Sequence, residues 1–515
     1  MPIELRKEML AQREVVIRTG CEAFTDIDII VPDTKPDVLR ILQIDANPVI
    51  MDKTLFEGKL LFDCRLDVCI LYAADGGGVK NIRTQQSFTH QVNSKDITKG
   101  LSVEACCSME RLDCRIINSR KLSISTTVAI DYCLMREREL PIIVGIESND
   151  CQVMSSPIKA FVSSPQAVTE IVVKETFDIP QGKSDADEIL RANVRLCNKE
   201  VRYAGTKAVV KGELLCSVLY LCDIEPTSLQ TMEYALPFTE VVDLPDIFEG
   251  EDCSVDFIYK NTNCSAKQDN DGDNRIIFVE VQMDAVVSAG KEVTLNAITD
   301  AYSPSCDMEI NSQPIMLEEL VAKRCNRECV KAVAAIPTGQ PDAMGVLHVS
   351  ASPGTVTASP DGRNVIVEGN IVGEILYRTV DPDMPVSSYK YTMPFTSSFE
   401  MEGVDERCLF DVNVDVDNIS YNINLPDEIE LRCNICISVG AMRTMQINCI
   451  TDVEEKPLEQ VQSCSAYCVK IYFVRKGDTL WNIAKRYRVS LDRLMGINGL
   501  DQQSVLMPGQ QLMIP

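Results

Sequence analysis

Residues 208–223 alternate: Val210, Gly212, Leu214, Cys216, Val218 and Tyr220 share one face, while Lys211, Glu213 and Ser217 occupy the other. A period of two belongs to a strand with one buried and one solvated face. The register recurs at Leu60, Phe62, Cys64, Leu66, Val68, Ile70 and Tyr72, and again at Val365, Val367, Gly369, Ile371, Gly373, Ile375 and Tyr377. Each copy ends in an aliphatic-aliphatic-Tyr step, and the three tyrosines are 148 and 157 residues apart. About 50 residues after each tyrosine comes a turn signal, at Asn118-Ser119, Asp271-Gly272 and Pro426-Asp427. Further alternating runs follow at 122–132, 276–287 and 429–439. One such run is generic, but three in a shared register predict a tandem array of related β-rich units.

The pattern divides the chain into units at 1–150, 167–303 and 315–453, a polar tether at 454–469 and a small module at 470–515. The stretch from Glu147 to Gln166 is rich in Ser and Pro and is expected to be a linker, and another break is expected at 303–314. Helices are expected at 3–18, after Pro36 through Val38, Leu39, Ile41 and Leu42, and at 316–332. The expected fold class is mainly β: tandem β-sandwich-like units followed by a small α+β module of order βααβ.

Charge sharpens the division. The chain carries a net charge of −26, yet residues 470–515 hold seven Lys/Arg against three Asp/Glu. An acidic body repels nucleic acid and anionic lipid surfaces, so neither is an expected partner. No run of about 18 apolar residues suggests a membrane span, and the first residues lack the apolar stretch of a signal peptide. Twenty-two cysteines are spread through the chain, and Cys64 and Cys216 fall on the apolar strand face, where a reduced thiol packs as a small hydrophobe. A reducing cytosol is the expected compartment.

The last module has the most specific pattern. Thr479 or Asp478 can cap a helix whose Leu480, Ile483, Ala484 and Tyr487 share a face, with Trp481 read as core. Ser490 can cap a second helix carrying Leu491, Leu494 and Met495, and residues 511–514 form a closing strand. The sequence from Val474 to Ala484, the central Asn498 and the closing stretch from Pro508 to Pro515 closely resemble the LysM domain. That resemblance implies binding of N-acetylglucosamine-containing glycans between two loops. The residues it brings forward are Gly477, Asp478, Thr479 and Leu480 in the first loop, and Asn498, Gly499, Leu500, Val505 and Leu506 in the second. Against this stands the plainer reading, that Asp478 and Thr479 are helix caps.

Catalytic and metal chemistry find no support in the spacing. His90 and His348 are the only histidines and form no triad or ligand pattern. Cys433 and Cys436 would point to opposite faces of a strand, and Cys325/Cys329 and Cys464/Cys468 lack companion ligands. The acidic run 269–274 fails as a calcium loop, because Gly272 at loop position six leaves Lys267 and Phe278 where carboxylates are required. It reads as a hairpin turn, as does Gly76-Gly77-Gly78. No enzyme, cofactor or metal is expected.

The repeated element, with Val210, Gly212, Leu219 and Tyr220 matched by Val367, Gly369, Leu376 and Tyr377, resembles the SPOCS domain of spore coat-associated proteins. In the first unit Cys64 stands in place of the glycine. Several SPOCS units followed by LysM resemble the clostridial SipL family. The resemblance implies a scaffold in the mother-cell cytoplasm at the forespore surface, partnered by the coat-basement ATPase stage IV sporulation protein A. Self-association is a further option, and a wall- or cortex-associated protein that binds peptidoglycan is the alternative.

Overall fold

The computed structural model describes residues 4–148, 150–163, 166–204, 206–222, 229–243, 252–425, 427–456, 470–501 and 504–515. In the first unit, β2 (Val38–Phe56), β3 (Lys59–Ala74) and β4 (Val79–Asn93) form one antiparallel sheet. The facing sheet is β1 (Glu4–Ile30), β6 (Lys121–Glu147) and β5 (Ser102–Asn118), with β6 central. The alternating strand is thus the middle of one sheet and the post-turn strand the middle of the other. Leu66, Val68, Ile70 and Tyr72 of β3 pack on Leu122 and Ile124 of β6, while Leu60, Phe62 and Cys64 meet Val128 and Ile130.

The second unit repeats this plan. It joins β9 (Glu188–Ala204), β10 (Lys207–Leu221) and β11 (Leu229–Asp243) in one sheet, and β12 (Asp252–Lys267) and β13 (Ile276–Tyr302) in the other. Two shorter strands, β7 (Gln152–Ser163) and β8 (Ala167–Asp178), together pair along β13 as β1 alone pairs along β6. The third unit has β14 (Asp307–Ala335), β20 (Glu428–Lys456) and β19 (Cys408–Leu425) in one sheet. Its other sheet centres on β17 (Asn364–Thr379), flanked by β15 (Ala343–Val349) and β16 (Ser352–Asp361) on one side and β18 (Val386–Glu400) on the other.

All three helices expected in the body are strands instead. Residues 3–18 lie largely within β1, the segment after Pro36 begins β2, and 316–332 lie inside β14. These segments are rich in helix formers, but β6, β3 and β20 offer each a partner along most of its length, and tertiary pairing overrides local propensity. The expected linker before Gln166 contains β7, and the break at 303–314 contains the first residues of β14. Pro157 opposes Asn296 and Pro314 opposes Asn448 on outer strands, which tolerate a missing donor. Of the expected tether, 454–456 belong to β20 and the remainder lies outside the described residues, as do Cys464, Cys468 and Pro426.

The units close around a pseudo-threefold axis. Leu71, Leu219 and Leu376, each immediately before the repeated tyrosine, meet in one cluster with Leu42, Leu190 and Leu347 and with Val79, Leu229 and Val386. The sheet face expected to be wet is therefore dry at this end, and each fully buried leucine contributes about 1.5–3 kcal/mol. At the other end the long strand pairs project as arms. Leu10 and Ile142, Ile158 and Ala297, and Ile315, Leu317 and Cys449 form a second three-way core. Ile143, Ile298 and Ile450 form a third.

Polar contacts cross the same seams. Glu188 accepts from Lys35 at 3.0 Å and from Lys80 at 2.8 Å. Buried Arg191 reaches from the second unit to Gln43 and to Asp45 of the first, the latter at 2.6 Å. Asn193 lies 3.1 Å from Nε2 of His348 in the third unit.

Candidate functional site: the C-terminal module on its platform

The module consists of β21 (Lys470–Phe473), α1 (Leu480–Tyr487), α2 (Leu491–Asn498) and β22 (Gln511–Ile514), the strands pairing antiparallel. Thr479 is the N-cap of α1, its hydroxyl accepting from the Asn482 N–H at 3.1 Å. Arg488 ends that helix in the left-handed conformation, and Ser490 caps α2. Tyr472, Val474, Ile483, Ala484, Leu494, Leu512 and Ile514 form the core.

The residues brought forward by sequence divide into three kinds. Asp478 braces the first loop rather than capping the helix: its carboxylate accepts from the Tyr472 hydroxyl at 2.5 Å and from the Arg475 N–H at 2.8 Å. These bonds hold its carboxyl below the usual range and push the Tyr472 phenol up. Asn498 ties α2 to β22, donating to the Leu494 and Met513 carbonyls at 2.8 Å each and accepting from the Met513 N–H at 2.7 Å. Leu480, Leu500 and Leu506 pack against the module core. Gly477 and Gly499 are exposed with φ of 91° and 64°, Thr479 is exposed, and Val505 is 81% exposed. Of the residues brought forward, the open surface is therefore the backbone of Gly477 and Gly499 with the side chains of Thr479 and Val505.

Trp481 has a role the sequence reading missed. Its indole N–H donates to Asp300 Oδ2 at 2.7 Å, and Lys485 Nζ stands 2.5 Å from Asp300 Oδ1. Asp300 lies near the end of β13, so the module is clamped to an arm of the body. Tyr302 stacks edge-on against Trp481 at 5.0 Å and donates its hydroxyl to the Val489 carbonyl at 2.8 Å. Arg488 pairs with Asp307, and Gln152 Oε1 accepts from the Leu491 N–H at 3.3 Å. One face of the module rests on β7, β13 and β14. The module's positive charge and the body's acidity were legible in composition; the pairing of Trp481 with Asp300 was not, since nothing local links residues 181 apart.

A cavity of about 1860 Å³ lies elsewhere, between the units. Its walls mix acids and bases, among them Asp45, Arg83, Asp256, Arg327 and Asp415. Among the described residues, no three His, Cys, Asp or Glu side chains converge as a metal site. Cys433 is buried inside the third sandwich while Cys436 faces outward, as alternation requires. The 269–274 run is a turn, with Asp269 Oδ1 accepting from the Asp271 and Asp273 N–H groups at 2.9 and 3.0 Å. No described helix is long and apolar enough to cross a membrane.

The LysM domain model matches residues 472–515, and the SipL, SPOCS domain model matches 37–117, 185–267 and 342–424. Over 45 residues the chain is 47% identical to a Bacillus subtilis protein named "Putative sporulation-specific glycosylase YdhD", covering 9% of this chain and 10% of that protein. Over 48 residues it is 46% identical to the "Spore coat assembly protein ExsA" of Bacillus cereus, covering 9% and 8%. The chain thus spans about a tenth of each of these relatives. No solved structure matches it. Both families are structural or binding modules, and the mainly β, repeated architecture with a βααβ terminus agrees with them. Three matches to the SipL, SPOCS domain model followed by a LysM match give this chain the domain arrangement of the SipL-like spore coat proteins.

Proposed function

We propose that this protein is a non-enzymatic morphogenetic scaffold of the spore coat. It acts in the mother-cell cytoplasm at the forespore surface, with the LysM module contacting a coat-basement ATPase of the stage IV sporulation protein A kind. The observation that carries the reading is the build of the molecule. Three coat-associated units share one closed core, and a basic interaction module is held on an acidic body by Trp481, Lys485 and Arg488. A rigid body of this kind presents the module in a fixed direction, which suits assembly on a surface. The Bacillus cereus relative, named for coat assembly, supports the same setting.

The second reading is glycan binding by the LysM loops, in a wall- or cortex-associated protein. It is favoured by exposed backbone at Gly477 and Gly499 and by the name of the Bacillus subtilis relative. A fluorescent fusion of the full chain, followed through growth and sporulation beside a fusion ending at Gln462, separates the two. A shell around the forespore that is lost on truncation supports the scaffold. Signal along the vegetative wall, with purified full chain sedimenting with insoluble peptidoglycan, supports the glycan reading and overturns the first.

A further inference from the structure

On the outer face of the third unit, Cys325 of β14 and Cys436 of β20 bring their Sγ atoms within 3.3 Å. The strand register explains the approach: Cys325 lies opposite Ser438 and Cys436 opposite Arg327, so the cysteines are diagonal neighbours on one face. A disulfide needs the sulfurs at about 2.05 Å, a further closure of roughly 1.2 Å from the separation seen. Cys325 is exposed, whereas Cys436 is half-buried beside it on the wall of the inter-unit cavity. We propose that Cys325 and Cys436 form a redox modification site, closed to a disulfide by a low-molecular-weight disulfide oxidant.

The order of events follows from access. The Cys325 thiolate attacks one sulfur of the oxidant, forming a mixed disulfide and releasing one small thiolate. Cys436 then attacks the Cys325 sulfur, forming the protein disulfide and releasing the second thiolate. Two protein thiols are oxidised, the small disulfide is reduced to two thiols, and the two protons pass to the leaving groups. Burial, and then the neighbouring Cys325 thiol, push the Cys436 thiol up to about 11, which fits it to the second, intramolecular step rather than the first.

The bridge would enclose the whole third SPOCS match, 342–424, and fasten β14 to β20 beside the cavity. Two other cysteines serve as internal controls. Cys329 is also exposed on β14 but faces Asn434, not a sulfur. Cys197 of the second unit reaches the Asp417 carbonyl oxygen, with its Sγ at 2.9 Å, across the same cavity.

The test is to incubate the reduced full chain with oxidised glutathione, block free thiols by alkylation, and map peptides without reductant. The expected product links Cys325 to Cys436 with loss of two hydrogens, while Cys329 carries glutathione or the alkyl group. It should also raise the melting temperature reversibly with dithiothreitol. In Cys436→Ser the linked peptide should vanish and glutathione should accumulate on Cys325, a readout that needs only the chain's circular dichroism to be unchanged. A wild-type chain in which Cys325 stops at the glutathione adduct, or links instead to Cys197 or to a second chain, overturns the proposal.

Discussion

Gly212 on β10 lies directly opposite Phe238 on β11, so close that a Cβ on Gly212 would stand 2.7 Å from the ring. The third unit repeats the pair as Gly369 and Phe395, with the ring 2.8 Å from the same imagined atom. In the first unit Cys64 faces Phe88. The repeated glycine is thus a place for a cross-strand aromatic ring rather than a turn. Gly212→Val should overpack this site and cost about 1–3 kcal/mol, seen as a lower urea midpoint with unchanged slope. An unaltered midpoint would show that the ring can move aside freely.

Each repeated tyrosine reaches back over 36 residues to a backbone carbonyl: Tyr72 to Pro36 at 3.0 Å, Tyr220 to Ser184 at 3.3 Å and Tyr377 to Pro341 at 3.1 Å. Tyr220→Phe should cost about 0.5–1.5 kcal/mol. Burial pushes the Tyr72 and Tyr220 phenols up to about 12 from 10. Because the unfolded phenol ionises first, their contribution is intact below pH 10 and is lost as pH rises toward 12. Alkaline unfolding followed by circular dichroism should begin in that window and be shallower for a Tyr72→Phe/Tyr220→Phe double variant.

Much of the body was legible because a period of two survives in any half-buried strand. The central strands of both sheets and the inward placing of Cys64 and Cys216 follow from alternation, and the hairpin at 269–274 from its turn residues. What alternation cannot show is which sheet face meets another unit, and the leucines before each tyrosine looked like outward positions until three of them met. The long outer strands β1 and β14 were hidden by helix-forming composition, since their partners are more than 90 residues away. Arg120 and Arg275 were missed as well. Each follows its turn and donates to the carbonyls of the loop before β2 or β9, Arg120 to Val31 and Lys35, Arg275 to Ile179 and Lys183. Aligning the strands after the turns on Leu122, Ile277 and Ile429 would have exposed that pair; the third unit has Asp427 there, which cannot donate in the same way.

His348 sits at the seam between the second and third units, facing Asn193, Arg191 and Arg195. Burial, then those guanidinium groups, lowers its pKa to about 3. A depressed histidine contributes stability above its unfolded value of 6.5 that is lost as pH falls toward 3. Asp45 and Glu374, held above their ordinary values by burial, act in the opposite sense. The informative quantity is therefore the difference between wild type and His348→Gln. Melting temperatures between pH 7 and pH 4.5 should fall less in the variant, and identical slopes would place the acid sensitivity elsewhere.

Asp300 is the pivot of the contact between body and module, accepting from Trp481 and pairing with Lys485. A hydrogen bond to a charged acceptor contributes about 1.5–3 kcal/mol, while the partly exposed Lys485 pair adds less because solvent screens it. Trp481 is the only tryptophan in the chain, so intrinsic fluorescence reports this contact alone. Asp300→Ala should move the emission to longer wavelength as the indole loses its partner and gains water, with the β-sheet circular dichroism unchanged. Small-angle scattering should show a larger radius of gyration, because Tyr302, Arg488 and Gln152 would be left to hold the module without the central carboxylate. High salt should bring the wild type part of the way toward the variant, since the Arg488–Asp307 and Lys485–Asp300 pairs are only partly buried. An emission spectrum that does not shift would mean that the indole is shielded by the module's own core, and that the body is not what orients it.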